Sequence, residues 1–168
     1  MASPESTFVC RYRQASKGDV PDMARIRTYD GGSEDYWNER IGGYLDRTYH
    51  PDQALGPRVA YLATAEGMSV GFVAGHLSRH FDCQAELEWI NVLPEYRQHG
   101  IGLALLRMLA TWLVAQSALR VCVDVSPANA DARRFYARHG AIPLKRHFLV
   151  WENIGSLLPP KRPGGAGR

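Results

Sequence analysis

Little in this 168-residue sequence marks a specialised class. Its three cysteines, Cys10, Cys83 and Cys122, are odd in number, far apart and never in a CxxC pair. That excludes a disulfide framework and a zinc ribbon, and fits reduced thiols in a cytoplasmic protein. The first twenty residues lack an apolar core, so no secretory signal is read there. The longest apolar stretch, Ile101 to Ala115, contains Arg107 and is too short to span a bilayer. Neither sign of charge dominates. The net charge is +3, and Lys161, Arg162 and Arg168 account for all of it. No nucleic-acid or membrane surface is therefore expected. No Lys-Ser or Lys-Thr pair occurs either, which removes a Walker A phosphate loop.

What is present is the composition of an ordinary globular domain, 45% hydrophobic and 22% charged. One domain is expected over residues 1–158, with a Pro/Gly-rich basic tail over 159–168 and a frayed start over 1–7. Residues 8–15 read as a first strand. Asp19 and Pro21 open a helix that ends near Gly31-Gly32, and Ser33 caps a second one. Residues 58–65 and 69–81 flank a Glu-Gly turn and read as a hairpin. A strand over 84–93, a helix from about 101, a strand over 119–125, a helix between Asn129 and Gly140, and a last strand over 143–151 complete the order β-α-α-β-β-β-α-β-α-β.

The most informative segment is Arg97-Gln98-His99-Gly100-Ile101-Gly102. It lies between the strand AELEWINVLP (residues 85–94) and the amphipathic run that opens at Ile101. Glycines there permit unusual backbone angles, and the first amides of the helix are free to meet an anion. The dinucleotide fingerprint GxGxxG fits poorly. Leu105 stands where its third glycine belongs, and six mostly polar residues separate the apolar run from Gly100.

Arg97-x-x-Gly100-x-Gly102 instead resembles the acetyl-CoA pyrophosphate loop, Q/R-x-x-G-x-G/A, of the GNAT superfamily of N-acetyltransferases. The flanks agree. Ala85, Glu86, Leu87, Ile90, Val92, Pro94, Tyr96 and Arg97 fall in the places of the family's preceding strand. Val125, Asn129, Ala132, Phe135, Tyr136 and Gly140 match its later V-x-x-x-N-x-x-A-x-x-F-Y-x-x-x-G motif, while Ala141 replaces the usual aromatic. The matched motifs cover residues 84 to 141.

The resemblance implies an α/β fold, a mixed and mostly antiparallel sheet flanked by helices, whose fourth and fifth strands splay to admit pantetheine. It implies acetyl-CoA as co-substrate and direct transfer to an amine acceptor in a ternary complex. Backbone groups of Val92 and Leu93 would meet the pantetheine arm, and the amide of one of them the oxyanion. Arg97, Gln98, His99, Gly100, Ile101, Gly102 and Leu103 would hold the pyrophosphate, with Asn129, Arg133 and Tyr136 completing the cofactor site. Arg134 is an alternative phosphate contact.

Transfer to an alkylammonium requires removal of its proton, for which a carboxylate of raised pKa is suited. Strand alternation places Glu86 and Glu88 on one face with Ile90 and Val92, and Leu87, Trp89 and Asn91 on the other. Glu86 is the first choice of base, since it matches the family position, and Glu88 the second. Tyr136 matches the general acid. Tyr36, Trp37 and His76 are acceptor-site candidates. His76 and His80, on one face of one strand, lack further ligands, so no metal is expected. A non-catalytic acyl-CoA-binding sensor or interaction module is the alternative. The acceptor stays open, and a homodimer through the last strand is compatible with the sequence.

Overall fold

The computed structural model describes residues 8–161. The expectations for residues 1–7 and for most of the tail fall outside that range. Strand β1 (Cys10–Gln14) is followed by helices α1 (Val20–Arg27) and α2 (Glu34–Asp46). Strands β2 (Ala54–Ala65), β3 (Met68–Ser78) and β4 (Ala85–Val92) then run to helix α3 (Ile101–Ala115). Strand β5 (Val121–Asp124), helix α4 (Ala130–Arg138), and strands β6 (Ile142–Lys145) and β7 (Phe148–Trp151) complete the order. All seven strands form one sheet, in the order β1-β2-β3-β4-β5-β7-β6.

Local chemistry accounts for most of these boundaries. Ser33 caps α2 by accepting from the Tyr36 amide, and Asn129 caps α4 by accepting from that of Ala132. Glu66 and Gly67 both take positive φ, the geometry of a tight hairpin turn between β2 and β3. Three boundaries differ from expectation. Helix α1 ends at Arg27, and a short 3-10 turn carries the chain to the glycines. Asp19 sits at the N-cap of α1, but its carboxylate is taken by Arg13 and the Ser16 amide. The single last strand is a hairpin of two, with β7 inserted between β5 and β6.

Every sheet pairing is antiparallel except β4 with β5, and that exception positions everything that follows. The parallel ladder holds only Ala85 with Val121, Glu86 with Cys122 and Leu87 with Val123. Beyond Leu87, β4 continues along β3 without β5 beside it.

Helix α3 covers one face of the sheet, burying Leu105, Leu106, Leu109 and Leu113. The opposite face of β3 and β4 meets α1 and α2, where Tyr44 packs edge-on against Trp89 with ring centroids 5.1 Å apart. Gly75 of β3 lets α3 come close: a β-carbon there would lie 2.8 Å from Leu109 Cδ1 and 3.0 Å from the Glu86 carbonyl. We expect Gly75→Ala to destabilise the fold by about 1–3 kcal/mol through overpacking. Thermal unfolding checks this, and an unchanged midpoint would mean that α3 yields freely.

Candidate active site

The register of β3 against β4 slips once. Ala74 pairs with Trp89 and Gly75 with Leu87, which leaves Glu88 without a partner, as an extra residue in a β-bulge. The slip overturns the expected alternation, because a bulge reverses the facing of every residue after it. Glu86, opposite His76, shares its face with Trp89, which packs on Tyr44, and with Asn91, which accepts from Arg27 at 3.2 Å. Leu87 is opposite Gly75 on the α3 face. The bulge brings the Glu88 carboxylate to the Glu86 side. Its Oε2 lies 4.0 Å from His76 Nδ1, while Glu86 Oε2 lies 3.7 Å from His76 Nε2.

His76 is fully buried, so it touches these carboxylates and cannot line an open acceptor pocket. Its Nδ1 is 2.9 Å from the Tyr44 hydroxyl. Burial pushes the Tyr44 phenol well above its ordinary pKa, so it stays protonated while it shares this hydrogen bond with Nδ1. His80 is not on the strand, which ends at Ser78, but the turn after β3 returns its Nδ1 to 3.5 Å from Glu86 Oε2. His76 Nε2, His80 Nδ1 and Glu86 Oε2 are buried and make no hydrogen bond.

The Glu88 carboxyl is pushed up to about 7, first by burial and then by the charge of Glu86, with Arg40 opposing. Asp124, at the end of β5, is raised for the same two reasons, against His147 and His80.

The end of β4 faces the divergence of the strands. The Leu93 amide donates to the Val70 carbonyl at 2.8 Å, so it is not free for an oxyanion. Neighbouring residues of an antiparallel strand turn their N–H and C=O to opposite edges. Val92 therefore directs its own toward the gap left by β5. Arg97 Nε donates to the Val92 carbonyl at 3.0 Å, fixing the loop that follows. In that loop Gln98 (φ 64°) and Gly100 (φ 78°) are left-handed. Alternation of this kind turns successive amides inward to form an anion nest. Gly100 is the N-cap of α3, so no side chain occupies the amides of the first turn. Gly102 leaves room for Phe135 of α4, whose ring carbon would be 3.2 Å from a β-carbon there.

Tyr136 of α4 is buried against Trp151, and burial raises its phenol further above the ordinary range. Arg27 and Asp30, from α1 and the turn after it, act on it in opposite directions. Arg27 itself lies 4.7 Å from the centre of the Trp37 ring. Tyr36, Glu39, Arg40 and Tyr49 line a cavity of about 230 Å³, with Arg40 3.8 Å from the Tyr49 ring centre.

Arg133 departs from expectation. Its guanidinium donates to the carbonyls of Ser126, Val125 and Arg146 at 3.2, 3.2 and 2.5 Å, so it braces the loops around α4 and is not free for phosphate. Arg134 pairs with Asp131. Asn129 is occupied as the α4 cap. Arg27 and Asp124 were not anticipated in the cleft, and no local sequence pattern marks either. No group of three or more His, Cys, Asp or Glu able to hold a metal occurs among the described residues.

The sequence model of the Acetyltransferase (GNAT) family matches residues 29–141. The chain belongs to this family. Among relatives, an uncharacterized N-acetyltransferase of Mycobacterium tuberculosis is 36% identical over 85 residues, 50% of this chain and 53% of the relative. An aminoglycoside N(6')-acetyltransferase of Salmonella typhimurium is 25% identical over 87 residues, 48% of this chain and 60% of the relative. The chain spans little more than half the length of these relatives. Two solved structures share the GNAT fold. The PaiA N-acetyltransferase of Thermoplasma acidophilum, solved with coenzyme A, aligns at TM-score 0.64 and 21% identity over 86% of this chain and 99% of that one. An aminoglycoside N-acetyltransferase, also solved with CoA, aligns at 0.67 and 21% over 86% and 95%.

The raised Glu88 value has a consequence for stability. Its folded value, about 7, exceeds the ordinary 4.5, so the folded chain holds the proton more tightly across that window. The contribution to stability is full below pH 4.5 and is lost as pH rises toward 7. Glu88→Gln should therefore gain on the wild type by roughly 2–3 kcal/mol between the two ends. Thermal denaturation of both proteins across that range tests this; a constant difference would mean that Glu88 titrates normally.

Proposed function

We propose that this GNAT chain is an acetyl-CoA-dependent N-acetyltransferase that transfers the acetyl group to a primary amine by direct attack in a ternary complex. The observation that carries this reading is the early end of the β4–β5 ladder, which opens a gap beside Glu88 and leads to the uncapped amides of α3. The gap suits the pantetheine arm. The left-handed loop suits the pyrophosphate, through the amides from Gln98 to Leu103, with Arg97 alongside.

Glu88 is the base in this reading, ahead of Glu86. A carboxyl near 7 is part-ionised at neutral pH and strong enough to take an ammonium proton, whereas Glu86 is enclosed by two histidines. The freed amine lone pair attacks the thioester carbonyl carbon, and the amide of Val92 stabilises the charge that develops on its oxygen. As the carbon–sulfur bond breaks, the nitrogen releases its second proton to water to leave a neutral amide, and Tyr136, kept protonated by burial, supplies the proton to the departing thiolate and is reprotonated from solvent. Tyr36 and Trp37 flank the acceptor's entrance at the start of α2. The unpaired cysteines and the charge balance fit a cytoplasmic enzyme with no nucleic-acid or membrane partner, and the outer strand β6 offers an edge for a homodimer.

The test is CoA-thiol release from acetyl-CoA with a panel of primary amines. Tyr136→Phe should lower kcat by roughly 10²-fold, as expected for loss of a positioned acid. Glu88→Gln should lower the rate most below pH 7, where fewer amines are already neutral. Equal loss at all pH values would assign Glu88 another role. Tight CoA binding without turnover of any amine would instead favour a non-catalytic acyl-CoA-binding module.

A further inference from the structure

At the end of β4 one side chain stands in the gap between the strands. The Leu93 amide is bonded back to Val70 of β3, and Val92 is paired with Gly71. Adjacent residues of an antiparallel strand turn their N–H and C=O to opposite edges, so the Val92 carbonyl points away from β3. On that side β5 has already left, its last pair with β4 being at Leu87. The donor that meets this carbonyl is Arg97, through Nε at 3.0 Å. A donor so placed lies ahead of the carbonyl, and the guanidinium therefore stands in the opening itself.

The backbone around Arg97 is anchored, while its side chain is exposed. A 3-10 turn, Pro94–Tyr96, folds the chain back on itself. The Tyr96 amide donates to the Leu93 carbonyl at 2.9 Å, and the Tyr96 hydroxyl donates to Glu66 at 2.7 Å. Among the described residues no carboxylate pairs with Arg97, and only its Nε–H is engaged. A single neutral carbonyl is a weak partner for a guanidinium. Phosphate oxygens accept two-pronged, charge-assisted bonds from the same fork. Arg97 directly precedes the left-handed Gln98 and the loop that opens α3, so its side chain lies between the carbonyl and the anion nest.

We infer that Arg97 is a latch on the pantetheine channel: it stays on the Val92 carbonyl until a pyrophosphate seated on the α3 loop draws the guanidinium away. The inference rests on the reading of that gap and loop as the CoA site. The pantetheine arm carries amide N–H groups, and the Val92 carbonyl is an acceptor that the missing strand leaves for one of them. With Arg97 in place this acceptor is engaged and the way past it is filled. Entry of the arm thus becomes conditional on the phosphate end of the same molecule. The latch selects thioesters of CoA against thioesters of pantetheine alone.

The test is one of binding and needs no acceptor. CoA is titrated by calorimetry and pantetheine by ligand-observed NMR, which reads weak association, on the wild type and on Arg97→Ala. The two shifts should have opposite sign. Arg97→Ala should bind CoA roughly tenfold more weakly, having lost a charge-assisted contact. It should bind pantetheine about fivefold more tightly, having lost the hydrogen bond that competes for the carbonyl. Inorganic pyrophosphate should tighten pantetheine binding to the wild type and leave that to Arg97→Ala unchanged, since the coupling runs through this side chain. A pyrophosphate contact alone would weaken CoA and leave pantetheine unchanged, and a purely structural role would weaken both. Either result overturns the latch and leaves the CoA reading intact, as does unchanged CoA affinity or an absence of pantetheine binding to the variant. A wild type that binds no CoA overturns the cofactor reading, and the latch with it.

Discussion

Strand β4 has to satisfy two neighbours that run in different directions. Its full length is hydrogen-bonded to β3, antiparallel, while only its first residues are bonded to β5, in parallel. Backbone amides that lose a strand partner inside a sheet must meet something else. Val92, beyond the last β5 pair, is therefore both a structural irregularity and the natural place for a ligand's polar groups. The rest of the cleft is arranged around that opening. Helix α3 starts beyond its upper end, and the turn after β3 brings His80 to Glu86 at the other.

The bulge at Glu88 depends on the same strand. Without it, alternation would send Glu86 and Glu88 together to one face and place Trp89 and Asn91 on the other. With it, Glu86, Trp89 and Asn91 all face α1 and α2, and Glu88 is displaced to the same side. Two carboxylates thus share one buried environment, with different neighbours. Glu88, desolvated beside a neighbouring charge, rises toward neutrality, while Glu86 is approached by both histidines.

The sequence was read most securely where local backbone geometry decides the outcome. Gly100 is legible because a left-handed position that opens a helix without a side-chain cap favours glycine. Ser33 and Asn129 as caps, the Glu66-Gly67 turn and the apolar face of α3 follow from equally local rules. The last strand was misread as one because its turn, Arg146-His147, carries neither glycine nor proline. Arg133 was assigned to phosphate on its position in a motif, whereas three carbonyls from separate loops claim its guanidinium.

By itself, then, the sequence determined the element order as far as α4, the phosphate-type loop and the family to which its motifs belong, because these depend on spacing and on residues with special backbone preferences. Tertiary structure decided which carboxylate is raised, that His76 is sealed behind the cleft, that Leu93 is committed to β3, and that Arg27 and Asp124 enter the site. Each of those outcomes follows from a register slip or from contacts between residues distant along the chain. A one-residue bulge leaves no signature in composition or periodicity, yet it reverses the facing of every side chain that follows.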